Sequence, residues 1–266
     1  MKLSQLERTL NELFPHKYAL KNDKVGMQVN CGDIEVSSIH IAYELNNLVI
    51  DECIAMNSSV LLIFHPLIYS PLQSININDR VGGLLIRLIK NGISLYCVHT
   101  IFDTNPKGTN YLIANKLGLN KVNNLIDLFA EDEIGMGYIG EFQTEVSIDE
   151  LLQRCNSIFK SPIKFTKGNS DNIKRVAIIG GSGSSFADAI FQNNIDAFIT
   201  ADNSYHTFHR FRDNITLIDP GHYEMEQFVI DGMYDFISDS ALLDSIKISK
   251  SLINTNPVSY YYDRKF

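Results

Sequence analysis

The feature that most constrains this chain is an alternation of short apolar runs with helical stretches. SSIHIAYEL (37–45) is strand-like, with Ile39, Ala42 and Leu45 among its apolar positions, and NNLVIDECIAMN follows with helical spacing. VLLIF (60–64) is a short, uniformly apolar run of the kind that fills a strand buried on both faces. VGGLLIRLIKNG then reads as a helix closing at Gly92, and ISLYCVH (93–99) as the next strand. Strands and helices in this order imply βαβ units, hence an α/β fold with a mainly parallel sheet covered by helices. Ahead of them, MKLSQLERTLNELF reads as an amphipathic helix, with Leu3, Leu6, Leu10 and Leu13 on one stripe and Ser4 with Glu7 as a capping box.

The middle of the chain changes pattern. A strand over 138–145, a helix over 148–159, a strand over 162–167, a strand over 175–180, a helix over 186–193 and a strand over 196–200 spell β-α-β-β-α-β. That is the order of a ferredoxin-like unit. The segment 169–172 reads as a polar turn. A helix over 204–212, a strand over 215–219 and a long helix over 223–238 then return to the first lobe. The expected architecture is therefore two-lobed α/β: residues 1–126 and 203–266 build a mainly parallel sheet lobe from both chain ends, and 127–202 form an inserted ferredoxin-like lobe.

Composition narrows the function classes. At about 150 residues per domain, 266 residues make one to two domains, long enough to bury a core unaided. Hydrophobic residues at 45% and charged residues at 20% exclude a disordered or collagen-like chain. A net charge of −8, with no basic run, argues against a nucleic-acid surface. Cys31, Cys53, Cys97 and Cys155 form no C-x-x-C pair. Without a secretory signal, reduced thiols and a cytoplasmic location are expected. The charged N-terminal turns fit no signal peptide, and no uncharged apolar stretch nears the roughly 18 residues of a membrane span.

Polar residues collect where the strands end. In open α/β sheets ligands bind beyond the carboxyl ends of strands. Here VLLIF runs into His65-Pro66, and ISLYCV into His99, with Asp103 four residues on. DAFIT precedes Asp202, with His206 four on, and ITLID ends in Asp219 ahead of Pro220-Gly221-His222 and Glu226. Imidazole and carboxylate are ligands for a borderline divalent metal such as Zn, Mn or Fe. His222 and Glu226, at i and i+4 near a helix start, face one point. A lone strand-end histidine is more often a satisfied structural residue; the set of His65, Asp103, His222 and Glu226 weighs more because its members come from separate segments.

Two glycine motifs compete for attention. GMGYIG (135–140) matches G-x-G-x-x-G, but a strand follows it rather than a helix, so the dinucleotide reading ranks low and a turn into a strand is expected. GGSGSS (180–185) follows RVAII and precedes a helix. Gly181, Ser182, Gly183 and Ser184 either cradle a substrate phosphate with backbone N–H groups or form a tight strand-to-helix turn.

Several blocks together carry a resemblance. VLLIFHPLIYSPLQSI resembles a pattern in which a buried strand runs into His-His-Pro-Leu-x-x-x-Pro-Leu, and CVHTIFDTNPKGTNYLIANKLGL resembles its His-Thr-x-x-Asp segment. KRVAIIGGSGSS, DAFITADNSYH and LIDPGHYEMEQF resemble its Gly-Gly-Ser-Gly, Thr-Gly-Asp-x-x-x-His and Gly-His-Tyr-x-x-Glu segments, and KNDKVGMQVN its Trp-Asp-Asn-Val-Gly-Leu-Gln-Val-Gly. The set, in order from about Asp23 to Phe228, resembles the NIF-three-like family, whose bacterial members are called GTP cyclohydrolase 1 type 2 homologues. The resemblance implies a two-lobed subunit, a toroidal homohexamer and a two-metal centre between the lobes. It assigns metal binding to His65, Asp103, His222 and Glu226, with the glutamate bridging both ions. The chain departs from the pattern at Phe64, where the first histidine of the pair belongs, at Asn22 in place of the tryptophan, and at Ala201 in place of the glycine of Thr-Gly-Asp. An apolar ring donates no lone pair, so the expected centre holds one or two divalent ions (Zn, Mn, Fe or Mg), with a weakened or mononuclear form in view and His99 or water filling in.

The implied chemistry is hydrolysis by metal-activated water, two ions about 3.5–4 Å apart clamping the attacking and leaving oxygens. A cyclohydrolase acting on a purine nucleotide, or on another phosphate-bearing small molecule, needs a proton shuttle, for which His99 and His206 are the candidates. The alternative is a metal-binding scaffold or regulatory protein without turnover. No membrane or nucleic-acid partner is expected.

Overall fold

The computed structural model describes residues 1–261. In chain order, α1 (Leu3–Leu13), β1 (Gly26–Val29), β2 (Ser38–Ala42), α2 (Asn47–Ala55), β3 (Val60–Ile63), α3 (Arg80–Lys90), β4 (Ser94–Cys97) and α4 (His99–Thr104) come first. They are followed by α5 (Thr109–Leu117), β5 (Asn120–Phe129), β6 (Ile134–Ser147), α6 (Ile148–Phe159), β7 (Lys164–Thr166), β8 (Asn172–Ser182), α7 (Ala187–Phe191), β9 (Ala197–Ala201), α8 (Tyr205–Phe211), β10 (Thr216–Asp219) and α9 (His222–Glu226). The last elements are α10 (Val229–Ser238) and β11 (Lys247–Lys250). These elements form a mixed α/β protein with two sheets in two compact units: Met1–Gly108 with Val229–Thr255, and Thr109–Phe228 with the described residues 256–261.

The first unit holds a five-stranded sheet in the order β1-β4-β3-β2-β11, parallel except for β1 at one edge. β2, β3 and β4 are buried at every residue, as their apolar runs require. Val49, Ile50 and Cys53 of α2, and Leu84, Leu85 and Leu88 of α3, close over Leu61, Ile63 and Leu95. Each such aliphatic side chain contributes about 1.5–3 kcal/mol by leaving water. α2 is capped by Asn46, whose side chain accepts the Val49 N–H at 2.9 Å. α1 buries Leu3, Leu6 and Leu10 as its spacing predicts, but the expected Ser4–Glu7 box does not form. The helix begins two residues earlier than a Ser4 cap allows; Gln5 accepts the Lys2 N–H at 3.0 Å, and Asp33 accepts that of Ser4 at 2.9 Å.

The second unit is built on a six-stranded mixed sheet, β5-β6-β8-β9-β10-β7. The run β6-α6-β7-β8-α7-β9 is the expected β-α-β-β-α-β, with α6 capped by Ser147 on the Glu150 N–H at 3.1 Å. Its strands are not interleaved as in a ferredoxin-like sheet: β8 and β9 are parallel neighbours, and β10 inserts between β9 and β7. The strand and helix expected to return to the first lobe thus belong here. β10 is buried at all four residues, which requires a neighbour on each side, and β9 and β7 supply them. The boundaries expected at 126/127 and 202/203 accordingly differ from the compact units, whose divisions fall at 108/109, at 255/256 and at 228/229. The latter coincides with a break in the helix expected over 223–238. α9 stops at Glu226, and the Gln227 side-chain amide donates to the Glu224 carbonyl at 2.8 Å. α10 starts afresh at Val229. GMGYIG lies wholly within β6, and polar β5 pairs along it.

All four cysteines are free, Cys53, Cys97 and Cys155 being buried. Among the described residues no helix is long and apolar enough to cross a membrane.

Candidate functional site

In the second unit the parallel strands β8, β9 and β10 bring their carboxyl ends to one edge. Three segments meet there. Asp202, the residue after β9, sits in the left-handed region (φ 56°), which aspartate tolerates better than most side chains. Gly221, at φ 99°, turns the chain after β10 so that α9 starts on His222. The His222 Nδ1–H donates to Asp202 Oδ2 at 2.6 Å, and Nε2 lies 3.0 Å from Oε2 of Glu226 one turn later. Glu226 is buried, its side chain only 4% exposed.

Burial disfavours charge on this imidazole, but the hydrogen bonds and charges of Asp202 and Glu226 outweigh it and push its pKa up to about 11. The hydrogen bond from His222 correspondingly holds Asp202 below the ordinary carboxylate range. A carboxylate on one ring nitrogen and a second buried carboxylate beside the other is an arrangement that suits a metal-bound histidine. Gly181, the third segment, leaves the space: a Cβ there would run into the Glu226 carboxylate and come within 3.1 Å of the His222 ring. An imidazole nitrogen and a carboxylate oxygen converging beside a gap that any side chain would fill fit a divalent cation.

GGSGSS is therefore placed against His222 and Glu226. The Gly180 N–H is taken by the Asn110 side chain and the Gly183 N–H by Thr200 Oγ1, both at 2.8 Å. Ser184 opens a single 3-10 turn before the five-residue α7, a short helix with little dipole to offer an anion. His206 lies exposed on α8, edge-on to Tyr205 at 5.7 Å, and among the described residues no hydrogen bond joins it to His222 or Asp202.

The first unit carries its own cluster at the ends of β3 and β4. Phe64 is fully buried, its ring stacked 5.8 Å from Tyr43 and packed 5.1 Å from His65 and 5.8 Å from His99. The His65 and His99 rings meet edge to face at 5.4 Å. Asp103 is buried on α4, one turn beyond His99. His99 itself has φ 32°, a conformation that costs on the order of 1–3 kcal/mol for a side-chain-bearing residue and is concentrated at functional positions. Its Nδ1–H donates to Asp23 Oδ1 at 2.7 Å, while Asp23 Oδ2 accepts the Thr100 N–H at 3.1 Å and the Thr100 hydroxyl.

Asp23 and Asp202, the carboxylates that orient His99 and His222, are absent from the set of site residues read from the sequence. The signal for both was present: Asp202 directly follows a strand, and Asp23 stands in the KNDKVGMQVN block.

Burial raises the Asp23 pKa, but hydrogen bonds from His99, Thr100 and Lys24, with the attraction of His99, bring it from 3.8 down to about 2. A carboxylate depressed on folding stabilises the fold above its unfolded pKa and loses that contribution as pH falls through the folded one. Asp23→Asn is therefore expected to cost about 2 kcal/mol in urea unfolding at pH 7, with the gap from wild type narrowing between pH 4 and pH 2. A gap constant across that range would refute the assignment.

Residues 1–257 match the family Duf34/NIF3 (NGG1p interacting factor 3). The chain belongs to this family. Among its NIF3 relatives is a protein of Clostridium acetobutylicum named GTP cyclohydrolase 1 type 2 homolog, 29% identical over 229 residues and covering 85% of each chain. One of the same name from Lactococcus lactis subsp. lactis is 28% identical over 99% of this chain and 100% of the relative. The crystal structure of a Staphylococcus aureus hypothetical protein, SA1388, superposes with a TM-score of 0.89 at 25% identity, over 98% of this chain and 99% of the other. The resemblance drawn from the ordered blocks is the NIF3 family.

Proposed function

We propose that this NIF3 member is a divalent-metal-dependent hydrolase, resembling the GTP cyclohydrolase 1 type 2 homologues in acting on a nucleotide or another phosphate-bearing small molecule. The observation that carries the reading is the Asp202–His222–Glu226 alignment beside Gly181. His222 and Glu226 would hold the ion, with His65 and Asp103 as the further ligands that the family resemblance implies. Such an ion supplies Lewis-acid activation of water. Asp202 keeps the proton on Nδ1 of His222 and so presents the Nε2 lone pair. His99, its Nδ1–H bound to Asp23, has Nε2 as the atom that takes or gives a proton, which suits the shuttle role. The toroidal homohexamer implied by the family is part of the same proposal and is read from the mass in solution.

Phe64 favours a second reading, a mononuclear centre serving a scaffold without turnover. Elemental analysis of protein purified without added metal, followed by incubation with GTP and each of Mn, Zn, Fe and Mg, separates the two. Bound metal with formate release supports the cyclohydrolase reading. Bound metal with no turnover of GTP or simple phosphodiesters supports the scaffold, and protein that takes up none of the four metals overturns both.

A further inference from the structure

Asp219 closes β10 and lies almost completely buried, 1% exposed, between the two loops that carry the His222–Asp202 pair. Its Oδ2 accepts the N–H of Asn203, the residue after Asp202, at 3.1 Å. Its Oδ1 accepts the N–H of Gly221, the residue before His222, at 3.0 Å. Lys164, directly opposite Asp219 in the β7–β10 ladder, brings its Nζ to 2.9 Å from Oδ2. Both backbone sites held this way adjoin the left-handed turns at Asp202 and Gly221. Asn203 adds a bond from its side-chain amide to the Thr200 carbonyl at 2.8 Å. One carboxylate thus ties the end of the β9 loop to the start of α9, with a lysine across the ladder balancing its charge.

We propose that Asp219 is a positioning residue for metal capture: its two oxygens set the spacing of Asp202 and His222, and Lys164 holds the carboxylate in place. The proposal rests on the metal reading above and adds residues to it that touch no ion. Two bonds, one to the backbone residue after Asp202 and one to the residue before His222, make the pair's geometry depend on this single group.

The test is a double-mutant cycle read by Zn2+ titration calorimetry on the full chain. Asp219→Ala and Asp202→Ala are each expected to weaken Zn2+ binding by about 10–100-fold, the range for residues that orient a metal-bound histidine. Because both act through His222, the double variant should lose little more than either single one. Additive losses, or an Asp219→Ala protein with wild-type affinity, would overturn the proposal. Asp219→Asn, which keeps the shape but not the charge or the second acceptor, covers the case in which alanine fails to fold; it should lose an intermediate amount, and unchanged affinity overturns the proposal equally. A metal-free readout separates this proposal from the metal reading: the His222 Nδ1 proton, bound to Asp202, is expected to give a slowly exchanging NMR signal in the wild type and to lose it in Asp219→Asn. Wild-type protein that binds no Zn2+ removes the metal reading, and a Nδ1 proton that persists in the variant removes the clamp.

Discussion

Glu226→Ala is expected to lower affinity for a divalent metal by at least about 100-fold, since residues that only orient a ligand already account for 10–100-fold. Its carboxylate is buried 3.0 Å from His222 Nε2 and shares with that nitrogen the gap left by Gly181. Removing it takes away the carboxylate that faces His222 Nε2 across this gap. The same change is visible without any substrate. An ion that binds only folded protein stabilises it by about 2.7 kcal/mol at a hundred times its dissociation constant. Wild-type protein should therefore melt several degrees higher with Zn2+ than with chelator, and the Glu226→Ala protein should show almost no difference. Equal metal-induced shifts in the two proteins would exclude Glu226 as a ligand. Asp202→Asn should fall between them, because it leaves the ligand atoms and loosens only the ring.

Phe64 offers the complementary experiment. The ring is fully buried against Tyr43, His65 and His99. Phe64→Ala is expected to cost about 3–5 kcal/mol, the usual range for emptying a buried aromatic site. Phe64→His fills most of the volume but buries imidazole nitrogens, each needing a partner or costing about 1–3 kcal/mol. If this position is a lost ligand, Phe64→His should be less stable than wild type in chelator, recover in Zn2+, and hold one more ion per chain by elemental analysis. A variant with the wild-type metal content would sink the mononuclear reading.

Much of this was legible in local sequence. The buried strands β3 and β4, the helix over Ile148–Phe159 and the strand-end histidines announce themselves because hydrophobic period is a local property. Other features were not. ITLID has the pattern of a buried strand in any parallel sheet, so nothing in those residues states that β10 pairs with β9 and β7. The long helix over 223–238 carries no proline or glycine where it breaks; the break follows from the packing of Gln227 and Phe228, whose ring meets Phe159 at 6.3 Å. The polar strand β5 is held by its ladder with β6 rather than by its own apolar residues.

Residue order alone carries the α/β class, the family, and which histidines and carboxylates stand at strand ends. It also exposed the departure at Phe64, since an apolar ring at a ligand position is a chemical statement that needs no coordinates. Only the tertiary structure decided how the strands are ordered and which carboxylate serves which histidine: Asp23 for His99, Asp202 for His222, and Asp219 behind the latter pair. The reason is physical. Side-chain type and period are written along the chain, whereas a hydrogen bond between residues 16 to 76 positions apart exists only once sheet register has set the distance.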